Sequence, residues 1–98
     1  MTEPPQAIRL DKWLWHARLF RTRALAARAV AAGRIRVNAV RILKPATQVR
    51  IGDGLTFADA NGVRVVEIRG IGARRGPAVE ARALYRDRSP GAPDPAGA

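Results

Sequence analysis

The sequence predicts an α+β fold: a two-helix unit packed on a small, mostly antiparallel sheet, ending in a short C-terminal helix or strand. Three observations predict it. Apolar residues recur at helical spacing from Leu10 to Phe20 and a capped, alanine-rich run follows, the period drops to two after Gly33, and an Asn61-Gly62 pair lies between two short apolar runs. At 98 residues the chain has the length of one domain, and a chain this short buries only about two-thirds of its unfolded surface.

Residues 1–7 carry Pro4, Pro5 and no periodic pattern, and are expected to form a flexible leader. Leu10, Trp13, Leu14, Ala17 and Phe20 then mark one apolar stripe, predicting a helix from about Leu10 to Leu19. Thr22 is a good N-cap for a second helix over Arg23–Ala32, whose alanines have the highest helix propensity. Gly33 falls where a left-handed C-terminal cap is wanted. Ile35, Val37 and Ala39 alternate with Arg34, Arg36 and Asn38, the pattern of a half-buried strand. Pro45 interrupts, extended structure resumes at Val49–Ile51, and Gly52-Asp53-Gly54 is a turn. Leu55–Phe57 and Val63–Ile68 flank the Asn-Gly signal as a hairpin. Gly70, Gly72 and Gly76 loosen the next stretch. Pro77 suits the first position of a helix to about Asp87, although its weak apolar face (Ala78, Ala81, Leu84, Tyr85) also reads as a strand. Residues 89–98, mostly proline, glycine and alanine, are expected to be a disordered tail, leaving one folded domain over 8–88.

Composition narrows the chemistry. There is no cysteine and one histidine, His16, so neither a disulfide framework, a thiolate metal site nor Cys–His catalysis is expected, and no cofactor is implied. No run approaches the ~20 apolar residues of a membrane span, and the N-terminus lacks the layout of a secretory signal. A soluble cytoplasmic protein without a membrane partner is expected.

Charge is the most informative quantity. Residues 1–50 hold 11 basic and 2 acidic side chains, a net of +9, whereas residues 51–98 hold 7 and 6, a net of +1. Compositional drift would account for 16 of the 18 basic residues being arginine, but not for the scarcity of acids before Asp53. A polarised field of this kind is the footprint of a polyanion binder. The basic set is Arg9, Lys12, Arg18, Arg21, Arg23 and Arg28 around the helix pair, then Arg34, Arg36, Arg41 and Lys44 on the strand region. Arginine offers a planar fork of donors to phosphate and can stack on unpaired bases. Thr22, at a helix start, adds a hydroxyl and nearby free amides as a phosphate seat. His16 reads as a phosphate or base contact, or as a structural residue at the core edge. Trp13 lies on the stripe and belongs to the core. Trp15 lies off it, and reads equally as a stacking platform or as packing against the C-terminal segment.

An enzyme needs paired groups, and they are scarce. Asp11 is the lone acid of the basic region; its position favours a helix N-terminus and a nearby arginine over general-base work. The run Gly70-Ile71-Gly72-Ala73-Arg74-Arg75-Gly76 is glycine-rich but lacks the strand–loop–helix setting and the lysine of a phosphate loop.

Arg9-Leu10-Asp11-Lys12-Trp13-Leu14, Thr22-Arg23, Ala26, Gly33-Arg34-Ile35-Arg36-Val37-Asn38, Lys44-Pro45 and Val49-Arg50-Ile51-Gly52-Asp53 resemble, in order and spacing, the RNA-binding domain named after ribosomal protein S4. The resemblance covers about residues 8–58 and extends the expected RNA contacts to Asn38. Ala39 departs from the glycine usual after that asparagine, which puts the local turn in question. The opening Asp11-Lys12-Trp13-Leu14-Trp15 and the later Arg74-Arg75-Gly76-Pro77-Ala78…Ala83-Leu84-Tyr85 are similar to one subgroup, the small bacterial heat-shock proteins of fifteen kilodaltons. That similarity implies ribosomal RNA, a free large ribosomal subunit and a nascent chain on transfer RNA (peptidyl-tRNA) as partners, in recycling of stalled particles. The subgroup has a long basic C-terminal extension where this sequence has its proline–alanine tail. Enzymes owning this domain attach it to a large catalytic domain, which 98 residues do not accommodate.

The expectation is therefore a monomeric, non-enzymatic protein gripping structured RNA through phosphate and shape. The alternatives are a general DNA or nucleoid binder using the same charge, and an RNA-modifying enzyme with His16 or Asp11 as base.

Overall fold

The computed structural model describes residues 7–60 and 62–89. The predicted apolar stripe becomes helix α1 (Leu10–His16), three residues shorter than its pattern. It stops because Arg18 adopts a left-handed φ of 58°. The Arg18 amide then donates to Trp15 and the Leu19 amide to Leu14, closing a Schellman motif. Thr22 caps α2 (Arg23–Ala31), its side-chain oxygen accepting the Leu25 amide at 3.1 Å. Gly33, at φ 74°, ends α2 with the same pair of bonds, from Gly33 to Val30 and from Arg34 to Ala29.

Among the described residues, seven strands form two wholly antiparallel sheets. β1 (Ala7–Arg9) pairs with β4 (Gln48–Arg50), Ile8 facing Val49. This strand moves the start of the fold into the expected leader: burial of Ile8 draws Ala7 into register with Arg50. Residues 1–6 lie outside the described residues. The larger sheet has the order β3 (Val40–Ile42), β2 (Ile35–Val37), β5 (Gly54–Asp59), β6 (Gly62–Ile68), β7 (Tyr85–Asp87). The β5–β6 hairpin forms as the Asn-Gly signal predicts, with Asp59 opposite Gly62; Asn61 itself is outside the described residues.

The expected C-terminal helix divides. α3 (Ala78–Arg82) is a five-residue piece with Pro77 as its N-cap, and β7 follows it. Pairing with the edge of β6 gives the Tyr85–Asp87 backbone its partners, and the Leu84 carbonyl accepts the Arg69 and Gly70 amides. Ser89, placed in the tail by its sequence, bonds Val65 through its hydroxyl at 2.9 Å; residues 90–98 are outside the described residues.

The core lies between the helix pair and the sheet. Leu10, Trp13, Leu14, Ala26 and Val30 meet Ile35, Val49, Leu55, Val66 and Ile68, all fully buried. Trp13 is its largest member, its indole N–H donating to the Gly70 carbonyl at 2.8 Å and its ring edge-on to Tyr85.

β2 stops at Val37, so Ala39 is a turn residue and not the strand position its alternation predicts. Asn38 and Ala39 form the two-residue β2–β3 turn with φ of 50° and 69°. The left-handed region costs an L-residue about 1–2 kcal/mol, which asparagine tolerates and alanine does not. Glycine at Ala39 relieves that strain at some cost in unfolded-chain entropy. Ala39→Gly should therefore stabilise the fold by about 0.5–1 kcal/mol, a Tm rise of roughly 2–6 °C in thermal melts.

Candidate nucleic-acid interface

The basic side chains divide by what each one touches. Asp11 is the hub of the first group. Its carboxylate, 4% exposed, accepts both Nε and Nη2 of Arg9 at 3.1 and 3.0 Å and lies 3.6 Å from Arg23 Nε. It also accepts the Lys12 amide at 2.8 Å. Both guanidiniums stay nearly half exposed, so one buried acid aims two arginines outward from different elements. The α1 amides of Leu10 and Asp11 are taken by the Thr47 and Pro45 carbonyls, which draws the Lys44–Thr47 turn, and Lys44 with it, to this end of the helix.

Arg9, Lys12 and Arg23 line one cleft of about 460 Å³ with His16, Gln48 and Ile71–Ala73. His16 is 2% exposed, and its Nδ1 faces the Ile71 carbonyl at 3.4 Å. Burial lowers its pKa, against the carbonyl of Ile71, and Lys12 and Arg23 lower it further. The ring is thus a neutral core-edge group lining a cationic cleft, in keeping with the structural alternative its sequence position left open.

A second group sits on the outward face of the large sheet. Arg36 and Arg41 are directly opposite each other on β2 and β3, and Arg41 Nε donates to the Gly33 carbonyl at 3.1 Å. Like charges directly opposite are destabilising, so an anion relieves this pair. Arg34 precedes β2, and Arg28 is exposed on α2.

Several expected contacts are committed to structure. Asn38 accepts the Gly54 amide at 2.9 Å and donates to Asp53 at 3.0 Å, latching the β2–β3 turn to the next one. Arg18 Nε donates to the Gly76 carbonyl. The Thr22 oxygen is occupied by its cap, leaving the hydroxyl proton alone to offer to a phosphate. The Arg21 carbonyl accepts a bond from Arg75, while its own guanidinium is exposed. Trp15 packs against the C-terminal segment, with the Arg75 guanidinium 5.8 Å from its ring centroid.

Four acids of the second half are spent locally. Asp59 and Asp87 pair with Arg64, Glu67 with Arg69 and Arg88, and Glu80 with Arg74. Among the described residues, no acid pairs with Lys12, Arg21, Arg28, Arg34, Arg36 or Lys44. The cationic excess therefore survives folding.

Residues 8–55 match the family model of the S4 domain. Heat shock protein 15 of Vibrio cholerae, solved as a trimer, superposes with a TM-score of 0.79 at 38% identity, over 86% of this chain and 84% of that one. The chain belongs to the heat shock protein 15 family. Heat shock protein 15 of Escherichia coli K12 is 40% identical over 85 residues, and the Haemophilus influenzae homolog 34% over 80. These alignments cover 87% and 82% of this chain, which spans 63% and 60% of the two relatives' lengths.

In this member of the heat shock protein 15 family, the residues missed by sequence reasoning are Gln48 and Ile71–Ala73. Gln48 is uncharged and Ile71–Ala73 lie far along the chain from the basic set, and the tertiary fold brings both to the cleft. The glycine-rich run was the one available signal. It is no phosphate loop, but a strap over α1 held at Trp13, His16 and Arg18. Among the described residues there is no cluster of three metal-ligating side chains and no helix long and apolar enough to cross a membrane.

Proposed function

We propose that this chain is a non-enzymatic, cytoplasmic RNA-binding protein of the heat-shock response. It docks on structured ribosomal RNA of a large subunit that carries a nascent chain on transfer RNA, and helps recycle the stalled particle. The observation that carries the reading is the set of cations on α1, α2 and β2 that have no acidic partner among the described residues, while Asp59, Glu67, Glu80 and Asp87 of the second half are taken up by arginines of that half. The contacts are Arg9, Lys12, Arg21, Arg23, Arg28, Arg34, Arg36 and Lys44, with Arg18, Thr22 and Asn38 shaping the surface and His16 beneath it. Asp11 and His16 are buried and held by neighbours, which supports binding over general-base chemistry.

If ~6 phosphates are neutralised, affinity for ribosomal RNA should fall roughly a thousandfold between 50 and 200 mM salt. A flat response in a filter-binding titration counts against the proposal. Co-migration with free large subunits on sucrose gradients, with and without translation stress, tests the partner. Equal affinity for duplex DNA and ribosomal RNA in competition favours the general nucleic-acid reading instead. The free protein is proposed to be a monomer; sedimentation as a trimer, the state of the Vibrio cholerae relative, overturns that part alone.

A further inference from the structure

The cleft between β1, α1, the start of α2 and the Ile71–Ala73 strap has features that simple phosphate tracking along a duplex does not need. Resting on the RNA-binding reading above, we propose that it receives one unpaired nucleotide of the bound RNA. The phosphate lies on Arg9, Lys12 and Arg23, and the base enters the recess between His16, Gln48 and the strap.

Charge, shape and polarity each support this. Asp11 offsets one of the two guanidiniums it holds, so with Lys12 the cleft carries a net charge of +2, suited to phosphodiester oxygens. A volume of about 460 Å³ falls within the range of small-molecule sites, ~300–1,000 Å³, room for one unstacked base, whereas a base held in a duplex stack is not free to enter it. Ile8, Ile71 and Ala73 supply apolar wall for a ring face, and the Gln48 amide supplies both a donor and an acceptor for a base edge. His16 is almost fully buried and lines the cleft, its Nδ1 facing the Ile71 carbonyl, so its imidazole is a polar group held in place beside the recess. Gly72 keeps the wall thin. At its φ of 76° a side chain would be strained, and a Cβ there would come within 3.0 Å of Leu84 and 3.5 Å of His16 Nδ1.

His16 also reports on occupancy. Besides burial, Lys12 of its own helix and Arg23 of α2 oppose its protonation, while the Ile71 and Gly72 carbonyls favour it; Arg9, offset by Asp11, is the other cation of the cleft. A phosphate seated among these cations cancels their effect, so the imidazole pKa rises when the cleft is filled.

The test uses the full chain and two hairpin RNAs of identical sequence except for one bulged nucleotide, with the His16 ring followed by NMR across a pH titration. The bulged hairpin should bind about tenfold tighter and raise the His16 pKa; the fully paired hairpin should bind without moving it. Ala73→Phe, which narrows the cleft, should bring the two affinities to within twofold. The wild-type comparison stands whether or not that variant folds. Equal affinities with His16 unmoved overturn the cleft proposal and leave RNA binding intact. Failure to bind either hairpin overturns both. If inorganic phosphate alone moves His16 as far as the bulged hairpin does, the site is one for free phosphate and the nucleotide assignment falls.

Discussion

Trp13→Ala is expected to destabilise the domain by about 3–5 kcal/mol, the range for truncating a fully buried aromatic side chain. The indole occupies the junction of α1, the large sheet and the 70–76 strap, with no exposed surface. Its loss removes the edge-on contact to Tyr85, opens a cavity and leaves the Gly70 carbonyl without its donor. Small domains have about 5–15 kcal/mol in total, so the variant should melt far lower or be unfolded at room temperature. Urea denaturation followed by far-UV circular dichroism measures this. Trp15, partly buried beneath Arg75, is the control: Trp15→Ala should cost no more than about 1–2 kcal/mol. Comparable losses at the two tryptophans would mean that the core has been placed wrongly.

The second large effect is on binding. Lys12→Glu combined with Arg36→Glu should weaken affinity for ribosomal RNA by about 3–4 kcal/mol, roughly two to three orders of magnitude, because two attractions become repulsions. Stability should hardly change, with Tm within roughly 4 °C. Both side chains are exposed and lack acidic partners among the described residues, and each new carboxylate has an arginine near it: Arg9 and Arg23 in the cleft, Arg41 across the strand pair. Arg23, which the sequence offers equally for such a test, is unsuitable. Its pairing with buried Asp11 means that charge reversal there would set two carboxylates face to face, confounding folding with binding. Unchanged RNA affinity in a folded Lys12/Arg36 double variant would show that the cationic surface is not the interface.

The relation between sequence and structure is clearest at particular residues. Thr22, Gly33 and the β5–β6 hairpin carry local signals, a cap hydroxyl, a left-handed glycine and an Asn-Gly pair between two apolar runs, and the cap, the helix end and the hairpin all form there. The end of α1 carried no such signal. Its left-handed cap is Arg18, a residue type whose presence says nothing of that conformation, and it is held there in part by the Gly76 carbonyl far along the chain. Residues 77–87 were ambiguous for the same reason. Ala78, Ala81, Leu84 and Tyr85 suit a short helix or a strand, and the open edge of β6 settled Tyr85–Asp87 as strand.

Chain composition alone determined that the first half is cationic and nearly free of acids, and that the helix pair precedes a sheet, because charge and hydrophobic period are properties of neighbouring residues. Which cations remain available was decided by tertiary structure. Asp11 claims Arg9 and Arg23, the late acids claim the late arginines, and a strap from residues 70–76 folds back to wall a cleft over His16. Ion pairs and clefts are made by distances in space, and the pairing of residues more than fifty positions apart leaves no trace in local pattern.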